Sequence, residues 1–154
     1  MAYDTDFSRP ALLGVGTALR SMTPLAVTGW ATMAGRLPAR SGLLGRLADP
    51  DVAGVLMLMA AGEFVVDKLP FTPARTSPPL WAARIVFAGA AGMITSDTTN
   101  TRRDGAVAAA TCAVAVPIVT RLRRIIDDHN VPDIIPGLVE DVLAVLSSRR
   151  ALNV

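Results

Sequence analysis

Several residue types are scarce in this chain of 154 residues, and each scarcity excludes a class of protein. The single cysteine, Cys112, excludes a disulfide-stapled secreted scaffold. His129 is the only histidine, so one chain cannot supply the four Cys and His ligands of a structural zinc site. We therefore expect no bound metal and no other cofactor. Aromatic residues make up 5% of the chain and do not alternate with basic clusters, so no nucleic-acid partner is expected.

Charged residues are also scarce, at 18% against about a quarter in an average soluble domain. Apolar residues make up 51% of the chain, and the mean hydropathy is +0.44. This composition excludes disorder and indicates a protein of the lipid bilayer. The length suits one domain, so we expect a single membrane domain over residues 1–154.

Five apolar stretches are separated by polar or proline-containing segments, and they comprise residues 11–35, 52–66, 80–96, 105–120 and 134–146. The last four are only 13 to 17 residues long, whereas a helix needs roughly 20 residues to cross a ~30 Å hydrocarbon core. The pattern predicts an all-α integral membrane protein with four to five short transmembrane or re-entrant helices.

The alternative is a soluble bundle of five helices, in which such lengths are ordinary. A helix on the surface of a soluble bundle has a charged face. Residues 52–62 and 105–120 contain no charged residue at all, so the membrane interpretation is favoured.

Prolines and small residues predict where these helices are interrupted and where they touch. Interruptions are expected at Pro24, Pro117 and Pro136 and within residues 70–79, with Pro136 near the first helical turn of the fifth stretch. A proline at position 24 frees the carbonyl of Arg20, so we expect the backbone to open there. The small residues at 89–92 predict a close contact between two helices.

Eight charged residues lie within or beside the apolar stretches, where each costs about 2.5–3.5 kcal/mol on insertion scales. Four are basic and four are acidic, so the set is neutral. The set is Arg20, Glu63, Asp67, Lys68, Arg75, Arg84, Glu140 and Asp141. These residues are the candidate substrate-binding site.

Two functions fit this set. Interrupted helices that aim their ends at a ligand near the membrane midplane would make a small channel or transporter for an ion or small polar solute. A neutral network of ion pairs would instead hold short helices together in a structural or assembly subunit of a membrane complex. Glu63, Asp67 or Glu140 could serve as an acid or base, but no activated nucleophile stands beside them, so an enzyme is not expected.

Three blocks of sequence carry a resemblance to a known family. They are LRSMTP at 19–24, the segment from Glu63 to Gly89 with DKLP at 67–70 and TPAR at 72–75, and EDVLA at 140–144. Between about residues 14 and 144 the chain resembles an uncharacterised family of small bacterial integral membrane proteins, known only as a domain of unknown function. The resemblance implies a multi-pass protein of the bacterial inner membrane, and it implies no reaction.

The distribution of basic residues leaves the orientation open. Under a topology of five helices, one side carries Arg9, Lys68, Arg75, Arg121, Arg123 and Arg124, and the other carries Arg36, Arg40, Arg46, Arg102, Arg103, Arg149 and Arg150. Six against seven gives no positive-inside bias. Either one stretch is re-entrant and reassigns the loops, or the protein inserts both ways and pairs with an inverted copy. The expected partners are the bilayer and either a second copy or another membrane protein.

Overall fold

The computed structural model describes residues 6–37, 41–66, 77–96, 100–129, 132 and 134–152. All regular secondary structure in these ranges is helical, which confirms the all-α class. The helices are α1 (Ser8–Leu19), α2 (Thr23–Met33), α3 (Gly42–Gly45, one turn that leads into the 3-10 turn Arg46–Ala48), α4 (Pro50–Val66), α5 (Pro78–Thr95), α6 (Thr101–Asp127) and α7 (Ile134–Leu152).

The first apolar stretch forms two helices, as the sequence predicts. Helix α1 ends at Leu19, and Arg20 is extended, with φ −138° and ψ 117°. Helix α2 begins at Thr23, and Pro24 occupies its first turn, where a missing N–H costs nothing. The opening of the backbone at Arg20 is therefore confirmed. We call residues 20–22 the interruption.

The prediction of an interruption at Pro117 is wrong, because helix α6 continues through this residue for 27 residues. Pro136 lies in the first turn of α7, as expected for a proline near the start of the fifth stretch. Both helices are longer than their apolar cores because they recruit polar residues at their ends. The Asn100 side chain accepts a hydrogen bond from the Arg103 backbone N–H at 3.3 Å and so caps α6.

Side-chain contacts establish the relative directions of the helices. Arg103 lies over the Phe7 ring, and a Cβ at Gly14 would meet Thr111, so α6 runs parallel to α1. Helices α5 and α7 run antiparallel to α1, and α4 runs antiparallel to α2. The contacts that show this are Gly92 with Asp104 and Gly89 with Ala109 for α5 against α6, Gly16 with Ser147 and Arg20 with Gly137 for α7, and Ser21 with Glu63 and Gly29 with Leu56 for α4.

Helix α2 turns back beside α1, because a Cβ at Gly16 would lie 3.0 Å from Pro24 Cγ and because Leu13, Leu25 and Ile94 belong to one buried cluster. Helix α4 packs beside α2 and α5 packs beside α1. The end of α4 at Glu63 and the start of α5 at Arg84 both reach the interruption. The interruption therefore lies at one end of the bundle, together with the end of α4 and the starts of α5 and α7. The opposite end, which we call the first end, carries the starts of α1 and α6 and the segment between α2 and α4, where Leu44 and Leu47 pack against the cluster that contains Leu13 and Ile94.

Close packing at the first end depends on glycine. A Cβ at Gly92 would lie 2.7 Å from both the Ala108 Cβ and the Asp104 carbonyl oxygen of α6. A Cβ at Gly16 would lie 2.7 Å from the Ser147 hydroxyl oxygen of α7. The contact predicted from the small residues at 89–92 is confirmed, and α5 packs on α6 along this line.

One helix in the described ranges, α6, is long and apolar enough by length and composition to cross a membrane. Its best window has a mean hydropathy of 1.7, and 22% of that window is buried. The larger number of spans expected from the sequence stays a prediction.

Candidate functional site

The interruption between α1 and α2 leaves two helix ends inside the protein. Ser21 and Met22 precede α2 and present backbone N–H groups that no helical carbonyl can accept. Glu63 of α4 accepts both, with Ser21 N to Oε1 at 2.7 Å and Met22 N to Oε2 at 2.9 Å. A carboxylate thus occupies the positive end of α2, where an anion is stabilised by the helix dipole.

Arg84 of α5 caps the negative, C-terminal end of α1. Its Nη1 donates to the carbonyl oxygens of Thr17 at 3.3 Å and Ala18 at 3.0 Å. A cation at a helix C-terminus is favourable for the same electrostatic reason. The Arg84 Nη2 also lies 3.7 Å from Glu63 Oε1, so the two groups that cap the interruption form an ion pair.

Arg20 itself belongs to the interruption and turns toward the opposite helix. It is 1% exposed, and its guanidinium forms an ion pair with Asp141 of α7. Its Nη2 also donates to the Gly137 carbonyl oxygen at 3.5 Å, and its Cζ lies 5.4 Å from the centre of the Phe64 ring. An ion pair, a backbone acceptor and a cation–π contact therefore surround this buried charge.

Glu140 is the third described carboxylate of the predicted set, and it faces a different cation. Its Oε2 accepts a hydrogen bond from Arg123 Nη1 of α6 at 3.1 Å. Arg123 is more exposed than Arg20, with 22% of its side chain accessible. This pair joins α6 to α7 beside the Arg20–Asp141 pair.

Five of the eight predicted site residues are therefore described. Arg20 and Asp141 meet, Glu63 and Arg84 meet, and Glu140 meets a residue outside the predicted set. Asp67, Lys68 and Arg75 lie outside the described residues. Ser21, Met22 and Arg123 were missed. The sequence holds a signal for the two amides, because any break at Arg20 must expose N–H groups at the start of the next helix.

One buried hydroxyl at the interruption has no protein partner in the part of the chain that the structure describes. Thr23, the first residue of α2, is 4% exposed, and its Oγ1 makes no hydrogen bond. It follows directly after the amides that Glu63 accepts. The two backbone N–H groups of the interruption and the charged groups of Glu63 and Arg84 have partners, whereas the Thr23 hydroxyl has none in the described residues.

The outer surface has the opposite character. Leu58, Val86 and Val114 are 74%, 66% and 63% exposed, while Arg20 and Arg84 are buried. Exposed aliphatic residues on α6 and α7 include Ile118, Leu122, Ile125, Ile134, Ile135, Leu138, Val139, Val142, Leu143 and Leu146. Soluble domains seldom bury unpaired charges or expose apolar patches of this extent. Two arginines are thus buried in a bundle whose outer surface carries many exposed aliphatic residues.

Within the described ranges, no three His, Cys, Asp or Glu side chains lie close enough together to hold a metal ion. No protein-family model, curated protein or solved structure matches the chain. The family resemblance stated above stays a prediction. The contacts of the site are those of capping groups and ion pairs.

Proposed function

We propose that this chain is a multi-pass integral membrane protein that serves as a non-catalytic structural or assembly subunit. The membrane part of the proposal is supported by the exposed aliphatic faces of α4, α6 and α7 and by the burial of Arg20 and Arg84. Lipid tails tolerate such faces, and charges at membrane depth are placed against partners in the protein interior. The family resemblance favours the bacterial inner membrane.

The observation that carries the structural role is the closure of the interruption by the protein's own groups. In transporters with discontinuous helices, the helix ends point at the substrate or its coupling ion. Here Glu63 occupies the end of α2 and Arg84 occupies the end of α1. The two groups also neutralise each other, so the arrangement joins α4 and α5 to the interruption between α1 and α2.

Membrane extraction and flux test the two parts separately. After expression in a bacterium, the chain should stay in the membrane pellet during alkaline carbonate washing and leave it only in detergent. Release by carbonate would contradict the membrane proposal. Purified protein in liposomes should move none of a panel of monovalent ions and small polar solutes above the rate of empty liposomes. Flux of any of them would contradict the structural role.

A small channel or transporter for an ion or polar solute is the second candidate. The unpartnered Thr23 hydroxyl favours it, because a polar group beside a helix N-terminus is available to a ligand. Under this candidate, wild-type liposomes show flux that Glu63→Gln and Arg20→Gln abolish while folded protein is still recovered. Equal flux in wild type and both variants would exclude these residues from the path.

A further inference from the structure

The path of the first apolar stretch decides which basic residues share an end of the bundle. Helix α1 runs from the first end to the interruption, and α2 turns back beside it, so the stretch begins and ends at the first end. We call the end that holds the interruption the second end. Helices α4 and α6 run toward the second end, and α5 and α7 run back toward the first.

Basic residues are concentrated at the first end. The described ones lie in the first turns of α1 and α6, between α2 and α4, and in the last turn of α7. They are Arg9, Arg36, Arg46, Arg102, Arg103, Arg149 and Arg150. The second end carries Arg121, Arg123 and Arg124 near the end of α6. Among the described residues, seven basic side chains at one end thus face three at the other.

Three basic residues outside the described ranges do not reverse this difference. Arg40 lies in the sequence between α2 and α4, and Lys68 and Arg75 lie between α4 and α5. Assigned by those places in the chain, the count becomes eight at the first end and five at the second. The balance of six against seven expected from five stretches does not hold, because the first stretch returns to the end at which it begins.

The exposed arginines of the first end differ from the two arginines at the interruption. Arg36, Arg46 and Arg102 are exposed. Arg20 and Arg84 are buried against carboxylates and backbone carbonyls, so they belong to neither count. Exposed basic side chains near helix ends reach the headgroup region, where the negative surface potential of the cytoplasmic leaflet attracts them. The first end is therefore the surface that suits this leaflet.

We propose that the chain inserts in one orientation, with its first end in the cytoplasm, and that the arginines of the first end determine this orientation. Lys and Arg in short loops and near the ends of spans decide orientation in this way, and acidic residues contribute little. The inference rests on the proposed membrane insertion and goes beyond it, because it assigns each end of the bundle to a side of the membrane. The interruption, with Glu63 and Arg84, then lies toward the periplasm.

Single cysteines in a Cys112→Ala background measure the orientation. Ser41→Cys marks the first end and His129→Cys marks the second, and both positions are exposed. A maleimide that enters the periplasm but does not cross the inner membrane should label His129→Cys in intact cells several-fold more than Ser41→Cys. Permeabilisation should bring Ser41→Cys to the same level. Preferential labelling of Ser41→Cys in intact cells, or equal labelling of the two variants, would overturn the proposal.

Charge variants test whether the arginines set this orientation. Together, Arg46→Gln, Arg102→Gln and Arg150→Gln leave five basic residues at each end. Labelling of Ser41→Cys in intact cells should then rise several-fold. The matched control replaces the same three arginines with lysine, which keeps the count of basic residues, and it should label like its parent. Unchanged labelling in the glutamine set, or an equal rise in the lysine set, would overturn the role of the arginines.

Alkaline carbonate extraction of the same variants separates this inference from the proposed function. A chain that stays in the membrane pellet but labels preferentially at Ser41→Cys would contradict the orientation and leave the membrane proposal standing. A chain that carbonate releases would contradict both.

Discussion

The Glu63 carboxylate and the Ser21 backbone amide lie 2.7 Å apart, although 42 residues separate them in the sequence. Through this contact a side chain near the end of α4 completes the first turn of α2. Arg84 completes the end of α1 in the same way. The interruption is therefore built from four segments of the chain, and its stability depends on charges that the chain supplies to itself.

Removal of the Glu63 carboxylate should destabilise the protein and create a site for a small anion. Glu63→Ala leaves two amides without their acceptor and the Arg84 guanidinium without its carboxylate partner, at a cost of about 3–5 kcal/mol. Because formate resembles the missing group, molar formate should recover part of the lost thermal stability in detergent.

The control for this experiment is Asp128→Ala, which removes an exposed carboxylate at the end of α6. Asp128→Ala should unfold within a degree or two of wild type and respond to formate as wild type does. Identical stability of the two variants, or an equal effect of formate on both, would argue against the capping role of Glu63.

The Arg20–Asp141 pair should show strong coupling in a double-mutant cycle. Arg20→Gln and Asp141→Asn each leave a buried charge without its partner, and the double variant removes both charges. We expect the double variant to be more stable than the sum of the single effects implies, by about 1–3 kcal/mol. Denaturation in detergent measures this coupling.

The Arg123–Glu140 pair provides the comparison, because 22% of the Arg123 side chain is accessible. Its coupling energy should be smaller, since solvent screens exposed pairs. A larger coupling energy for Arg123–Glu140 than for Arg20–Asp141 would contradict the conclusion that Arg20–Asp141 is the more deeply buried pair.

Close packing of α5 on α6 should make Gly92 intolerant of a methyl group. Gly92→Ala places a Cβ 2.7 Å from a backbone oxygen that cannot move freely, so we expect a loss of about 1–3 kcal/mol. Gly62→Ala adds the same methyl group to α4, where nothing lies within 4 Å. Thermal unfolding should separate the two variants, with Gly62→Ala at or above wild type. The reverse order would contradict the packing of α5 on α6.

Much of the helix layout could be predicted from the sequence. The stretches at 52–66 and 80–96 match α4 and α5 within two residues, because prolines at 50 and 78 mark both starts. The opening at Arg20 followed from Pro24. The full length of α6 could not be predicted from apolarity, because its polar ends are held by a cap at Asn100 and by residues of good helix propensity.

The site was predicted in part. Charge neutrality indicated that the buried groups pair, and four of the five described residues do pair with one another. Glu140 pairs with Arg123 because α6 packs beside α7, and no local sequence pattern predicts that packing. The capping role of Glu63 could not be predicted for the same reason, since its amide partners lie in the interruption, far away in the sequence.

The continuity of α6 through Pro117 predicts the effect of removing that proline. Pro117→Ala restores a backbone N–H donor inside a helix, so we expect equal or greater thermal stability, by up to about 3 kcal/mol. Pro24→Ala should bring no such gain, because Pro24 lies in a first turn where the N–H has no helical partner. Loss of folded protein in Pro117→Ala would show that α6 is interrupted at this residue.

Amide hydrogen exchange at Ser21 and Met22 tests the central structure most directly. With the labelled protein in nanodiscs, both amides should exchange far more slowly than Gly35, which lies in the exposed turn after α2. In Glu63→Ala both should exchange faster by at least tenfold while the interior of α7 is unchanged. Rapid exchange of Ser21 and Met22 in the wild type would contradict the closure of the interruption by Glu63.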